Sequence, residues 1–116
     1  MIMLPSAVRI FLCTRSTDLR KSFDGLSGLV QECFDQELLT GHLFLFLNRR
    51  RDRIKILYFD RDGLAIWYKR LEAGSFQLPD TVAQDGVELQ PAQLAMLLSG
   101  IDLRSARQRK RFQRAG

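Results

Sequence analysis

An α+β domain is predicted by three features of the sequence. These are a long amphipathic helical stripe in the first third, strand-length apolar runs in the middle joined by turn residues, and a short second stripe after Pro91. The expected architecture is a small antiparallel sheet on a central β-meander, one long helix packed on it, a shorter C-terminal helix beside that helix, and a basic disordered tail. Residues 1–103 form the expected single domain and residues 104–116 the tail. Strand order does not follow from the pattern.

Val8 to Thr14 is rich in β-branched and aromatic residues and predicts a first strand. Ser16, Thr17 and Asp18 then offer oxygens to cap a helix running from Leu19 to Phe34. Its apolar stripe is Leu19, Phe23, Leu26, Val30, Cys33 and Phe34, at spacings of three and four. Gly25 and Gly28 each cost about 1 kcal/mol against Ala inside a helix, which points to close backbone packing on the sheet. After Gly41, the runs His42 to Leu47, Ile54 to Phe59 and Leu64 to Leu71 have strand length and form the meander. Asn48 to Asp52 makes one polar hairpin tip, and Arg61-Asp62-Gly63 makes a tight turn with Gly available for positive φ. Phe59, Trp67 and Tyr68 lie within apolar runs and are expected in the core. Phe76 to Pro79 is a short extended piece, Asp80 to Gly86 a loop, and Val87 to Leu89 a last strand. Pro91 suits a first helical position, Leu94, Leu97, Leu98 and Ile101 make the second stripe, and Gly100 ends it.

The net charge of +5 is unevenly distributed. Residues 1–48 hold four basic and five acidic residues, 49–55 five and one, 56–103 three and seven, and 104–116 six and none. A nearly neutral body thus carries one arginine loop and one basic tail, an arrangement suited to local polyanion contacts. No segment approaches the roughly 20 uninterrupted apolar residues of a membrane span. Met1 to Ser6 lacks the features of a signal peptide, so the expected location is cytoplasmic, with no membrane partner. Cys13 and Cys33 are too few for a disulfide scaffold and are expected as free, buried thiols.

The residue types for catalysis are thin. Asp60 and Asp62 are the best candidates for a two-metal site, but Asp beside Gly at a hairpin tip is ordinary turn chemistry. His42 is the single histidine and neither cysteine stands in a CxxC pair, so a zinc site lacks its ligands. His42 has no nucleophile motif near it and reads as a surface or edge residue. Neither a GxxxxGK[ST] nor a GxGxxG pattern occurs. No catalytic residue, metal or cofactor is assigned, and no enzymatic activity is expected.

The positive signal is basic. Arg49, Arg50, Arg51 and Arg53 crowd a hairpin tip, with Lys55 on the following strand, and guanidinium groups bind phosphate oxygens bidentately. Lys69 and Arg70, at the end of the third meander strand, either extend that basic face or solvate an edge strand. Arg107, Arg109, Lys110 and Arg111, with Arg104 and Arg114, make an acid-free arm of the kind that follows a phosphate backbone. The same arginines could instead pair with the acids of residues 56–103 or with a partner protein.

Three ordered stretches together resemble one family: Thr17-Asp18-Leu19-Arg20-Lys21-Ser22-Phe23-Asp24-Gly25-Leu26, Asn48-Arg49-Arg50-Arg51-Asp52-Arg53-Ile54-Lys55, and Trp67-Tyr68-Lys69-Arg70-Leu71-Glu72. They resemble the TnpB-type accessory proteins of the insertion-sequence-sixty-six family, from about Val8 to Asp102. The resemblance implies a bacterial mobile element whose separate, larger transposase carries the catalytic acids, with this small protein needed alongside it. It does not extend to the RNA-guided nucleases that share the TnpB label. The accessory-protein family often has an aromatic residue before the proline that follows the Gly-x-Phe segment, where this sequence has Phe76-Gln77-Leu78-Pro79. The functional expectation is a non-catalytic transposition accessory protein that binds DNA, the cognate transposase, or both through the hairpin and tail. A protein-docking module that never touches DNA is the rival, an RNA-binding protein a third reading, and a homo-oligomer stays open.

Overall fold

The computed structural model describes residues 7–78 and 85–100. It contains β1 (Ile10–Cys13), α1 (Phe23–Phe34), β2 (Leu43–Leu47), β3 (Arg53–Asp60), β4 (Gly63–Arg70), β5 (Gly86–Leu89) and α2 (Pro91–Ser99), with a 3-10 turn at Leu38–Thr40. The five strands form one sheet in the order β4-β3-β2-β1-β5.

The meander is present, with β2, β3 and β4 pairing antiparallel in sequence order. The sheet as a whole is mixed, which corrects the antiparallel expectation: β1 runs parallel to β2, with Phe11 opposite Phe44, and β5 closes antiparallel on the other side of β1. A parallel pair needs a crossover connection, and the segment carrying α1 supplies it. The two central strands are buried along their whole length, as IFLC and LFLFL, because both sheet faces are covered.

Alternation sorts the strands onto two cores. Ile10, Leu12, Leu43, Leu45, Leu47, Ile54 and Ile56 face one way, toward Leu94 and Leu97 of α2 and toward Leu71 and Phe76. Phe11, Cys13, Phe44, Phe46 and Leu57 face the other way, toward Leu26, Val30, Cys33 and Phe34 of α1. The two helices therefore lie on opposite faces of the sheet, where the sequence pattern suggested they lie side by side. Fully apolar central strands require cover on both sides.

The first helix is shorter than its stripe implied. Ser22 is the N-cap residue and α1 spans 12 residues, from Phe23. Upstream, the buried Thr17 donates its backbone N–H to the Leu47 carbonyl at 2.8 Å, and the Lys21 N–H closes a turn on the Asp18 carbonyl at 3.1 Å. That tie pulls residues 17–21 across the end of β2 and holds them out of the helix, while Leu19 still enters the core. Gly25 and Gly28 are both exposed, not packed on the sheet. At the C-terminal end, Gly100 adopts φ 83 as the cap of α2, and a proline opens that helix, both as expected. Ile101 lies outside the described residues, as do most of the expected loop at 80–86 and the whole tail.

The turn between β3 and β4 differs in detail. Asp60 pairs with Gly63, so the loop is Arg61-Asp62, and Arg61 takes the positive φ of 60 that was expected of Gly63. On β4, the sheet's outer strand, Trp67 is half-buried and Tyr68 is 47% exposed, so Tyr68 is not the core residue its apolar run suggested. Phe59, at the end of β3, is also only half-buried.

Candidate nucleic-acid interface

Three chain segments meet at one end of the sheet. The β1–α1 connection brings Ser16 to Arg20, the β2–β3 hairpin brings Asn48 to Arg50, Asp52 and Arg53, and the paired strands β3 and β4 bring Lys55 and Tyr68. They line an open cleft of about 770 Å³.

The hairpin wall is held rigidly by its own residues. The Asn48 side-chain oxygen accepts the backbone N–H groups of Asp52 (3.1 Å) and Arg53 (3.0 Å), and its amide donates to the Asp52 carboxylate at 2.7 Å. Arg51 turns the chain with φ 59. The outer flank is then tied to the segment after β4. Leu71 N–H donates to the Asp52 carbonyl and Phe76 N–H to the Arg51 carbonyl, each at 2.7 Å.

Arg53, Lys55, Tyr68 and Arg70 share the α1 face of the sheet, because Arg53 pairs with Arg70 and Lys55 with Tyr68 in register. The Arg53 guanidinium donates to the Tyr68 hydroxyl at 3.2 Å, and the Lys55 ammonium lies 4.8 Å from the Tyr68 ring centroid. Lys55 is only 9% exposed, and its ammonium donates to the Lys21 carbonyl at 2.9 Å, joining the two walls. In the opposite wall Asp18 receives the Arg20 guanidinium at 2.6 Å and the Arg20 backbone N–H at 3.0 Å, and these bonds hold its carboxyl down at about 2.

The sequence-derived basic residues thus separate. Arg49, Arg50, Arg53 and Lys55 line the cleft together, while Arg51 sits on the turn without lining it. Arg70 pairs with Glu72 at 3.1 Å, and Lys69 lies on the opposite sheet face, in register with Ile54. Arg107, Arg109, Lys110 and Arg111 lie outside the described residues. Among the described residues the ion pairs are Arg9–Glu88, Arg15–Asp85, Arg20–Asp18 and Arg70–Glu72, so none engages the hairpin arginines. Sequence reading missed Arg20 and the exposed Tyr68. The period-two register of Tyr68 with Arg70, and the short spacing of Asp18 and Arg20, were the available signals.

Other polar groups serve the fold. His42 Nδ1 accepts the Arg9 backbone N–H at 3.0 Å, which ties the start of β2 to β1. Cys13 and Cys33 are free and buried with their sulfurs 2.8 Å apart, and Arg15 donates to the Cys33 sulfur at 3.0 Å. Burial, then the bond to Cys33, pushes the Cys13 thiol up to about 12. Among the described residues no group of three or more His, Cys, Asp or Glu side chains is placed to hold a metal, and no helix is long and apolar enough to cross a membrane.

The chain matches the IS66 Orf2-like protein family over residues 8–108, a span that takes in all three segments of the cleft. It belongs to that family. The IS66 Orf2-like chain is 41% identical over 105 residues to the uncharacterized protein y4hO of Sinorhizobium fredii, covering 88% of this chain and 90% of that one. It is 30% identical over 95 residues to a second uncharacterized protein of that organism, y4jC, covering 82% and 80%. No solved structure is significantly similar to it. Membership carries a transposition-associated accessory role, in a family not known for catalysis. The three sequence stretches that resembled the family also supply residues that build the cleft of this IS66 Orf2-like protein: 17–20 in one wall, 48–50 with Asp52 and Arg53 in the other, and Lys55 with Tyr68 between them.

Proposed function

We propose that this IS66 Orf2-like protein is a non-catalytic, cytoplasmic accessory protein of insertion-sequence transposition that holds DNA for its cognate transposase in the Arg49–Lys55 cleft, with the basic tail adding phosphate contacts. One observation carries the reading. Three segments far apart in the chain converge on a cleft whose hairpin arginines have no acidic partner among the described residues, while four other arginines are each ion-paired. Guanidiniums that have no acidic partner among the described residues and are carried on a hydrogen-bonded hairpin suit phosphate oxygens.

Fluorescence anisotropy of the full chain with labelled DNA, across a salt series, tests it. Neutralising six or more phosphates makes affinity fall on the order of a thousandfold between 50 and 200 mM salt. The triple variant Arg49→Ala, Arg50→Ala, Arg51→Ala and the tail variant Arg107→Ala, Arg109→Ala, Lys110→Ala, Arg111→Ala should each flatten that dependence. Absence of salt-sensitive binding by the intact protein sinks the DNA reading. Binding to the transposase that weakens in the triple variant would then establish the docking-module account.

A further inference from the structure

We infer that the cleft takes unpaired nucleotides of single-stranded DNA, with a base stacked on Tyr68 and the adjoining phosphates held by Arg49, Arg50 and Arg53. This rests on the nucleic-acid reading above and narrows it.

Shape is the first argument. A β-ribbon reads a duplex by entering its major groove, which requires a projecting hairpin. Here the outer flank of the hairpin is hydrogen-bonded to Leu71 and Phe76, and its inner flank faces residues 16–20 across the cleft. Arg49 and Arg50 therefore line a concavity instead of standing on a free ribbon. Its volume of about 770 Å³ is that of a site for a compact ligand, and a rod-shaped duplex cannot enter it.

Chemistry is the second. Non-specific single-strand sites combine a cationic groove with aromatic rings on which bases stack. Tyr68 is the aromatic residue lining this cleft and is 47% exposed, although it lies in an apolar strand. Two cations position it, Arg53 at its hydroxyl and Lys55 at its ring. The acids nearby are already engaged, Asp18 by Arg20 and Asp52 by Asn48, so they leave the hairpin arginines available to an incoming anion. A paired base has its faces covered by its neighbours in the duplex, whereas an unpaired one can lie on the face of the ring opposite the Lys55 ammonium.

The test is competition by the intact protein between a labelled single-stranded DNA and the blunt duplex of the same sequence, repeated with Tyr68→Leu, Tyr68→Phe, and a strand carrying abasic sites. The single strand is expected to bind at least about tenfold tighter than the duplex. Tyr68→Leu should lose roughly five- to hundredfold of single-strand affinity, Tyr68→Phe should keep most of it, and the abasic strand should bind both alike. Circular dichroism melting of each variant controls for folding, and the Phe variant keeps the ring should the Leu variant unfold. Equal or tighter duplex binding overturns this inference while leaving the nucleic-acid reading intact. Single-strand preference that survives Tyr68→Leu in a folded protein overturns the stacking role, and failure to bind either DNA removes both readings.

Discussion

The Lys55 ammonium donates to the backbone carbonyl of Lys21 at 2.9 Å, across 34 residues of sequence. A lysine predicted to reach phosphate is instead largely buried, fastening the segment before α1 to the middle of the sheet. Replacing it with an apolar side chain of similar length leaves the Lys21 carbonyl without this donor. Lys55→Met is expected to lower stability by about 1–3 kcal/mol in urea unfolding. An unchanged midpoint would show that the bond contributes nothing to holding the cleft walls together.

Asn48 organises the arginine hairpin without carrying charge. Its side chain makes bonds to Asp52 and Arg53 that hold the tip in the conformation placing Arg49 and Arg50 at the cleft. Asn48→Ala should cost about 1–2 kcal/mol of stability. It should also weaken DNA binding in anisotropy although the net charge is untouched. If stability falls and affinity does not, the arginines act as a loose charge cluster and the fixed hairpin is irrelevant to binding.

Two glycines should respond with opposite signs. A Cβ at Gly28 meets nothing within 4 Å on an exposed helical face, so Gly28→Ala is expected to raise stability by about 0.5–1 kcal/mol. At Gly86 a Cβ would press on the Cys33 carbonyl and the Phe34 ring, where the end of α1 crosses β5. Gly86→Ala should cost about 1–3 kcal/mol, as overpacking does. Thermal melts of the two variants with the parent decide the pair. A stabilised Gly86→Ala would mean that α1 does not sit this close to β5.

Acid should weaken the β1–β2 junction. Burial, and then the Arg9 charge, hold the His42 imidazole below its ordinary value of 6.5, and its Nδ1 accepts the Arg9 N–H. The unfolded chain takes up the proton at the ordinary value, so between the two values it binds more protons than the folded protein. Stability is fully present above 6.5 and is lost as pH falls through the depressed folded value. Melting temperatures across this range should decline less steeply for His42→Gln than for the parent. Parallel curves would show that His42 does not contribute to the acid sensitivity.

The sequence by itself determined what depends on neighbours a few residues apart. The helical stripe Phe23 to Phe34, the alternating runs of the meander, Pro91 and Gly100 bounding α2, and the arginine tip were all legible, because periodicity and turn chemistry are local. Family membership was legible for a related reason, since ordered motifs survive without knowledge of their contacts. Only the tertiary structure decided that β1 runs parallel to β2 and that the helices take opposite faces. It also decided that Thr17 bonds to β2 instead of capping the helix, that Leu19 enters the core from outside the helix, and that Arg20, Arg49 and Tyr68 share one cleft. Those outcomes depend on pairings between distant segments. Fully apolar β1 and β2 gain most by being covered on both sides, and the crossover, whose helix α1 covers one of those sides, carries residues 16–20 to the arginine hairpin.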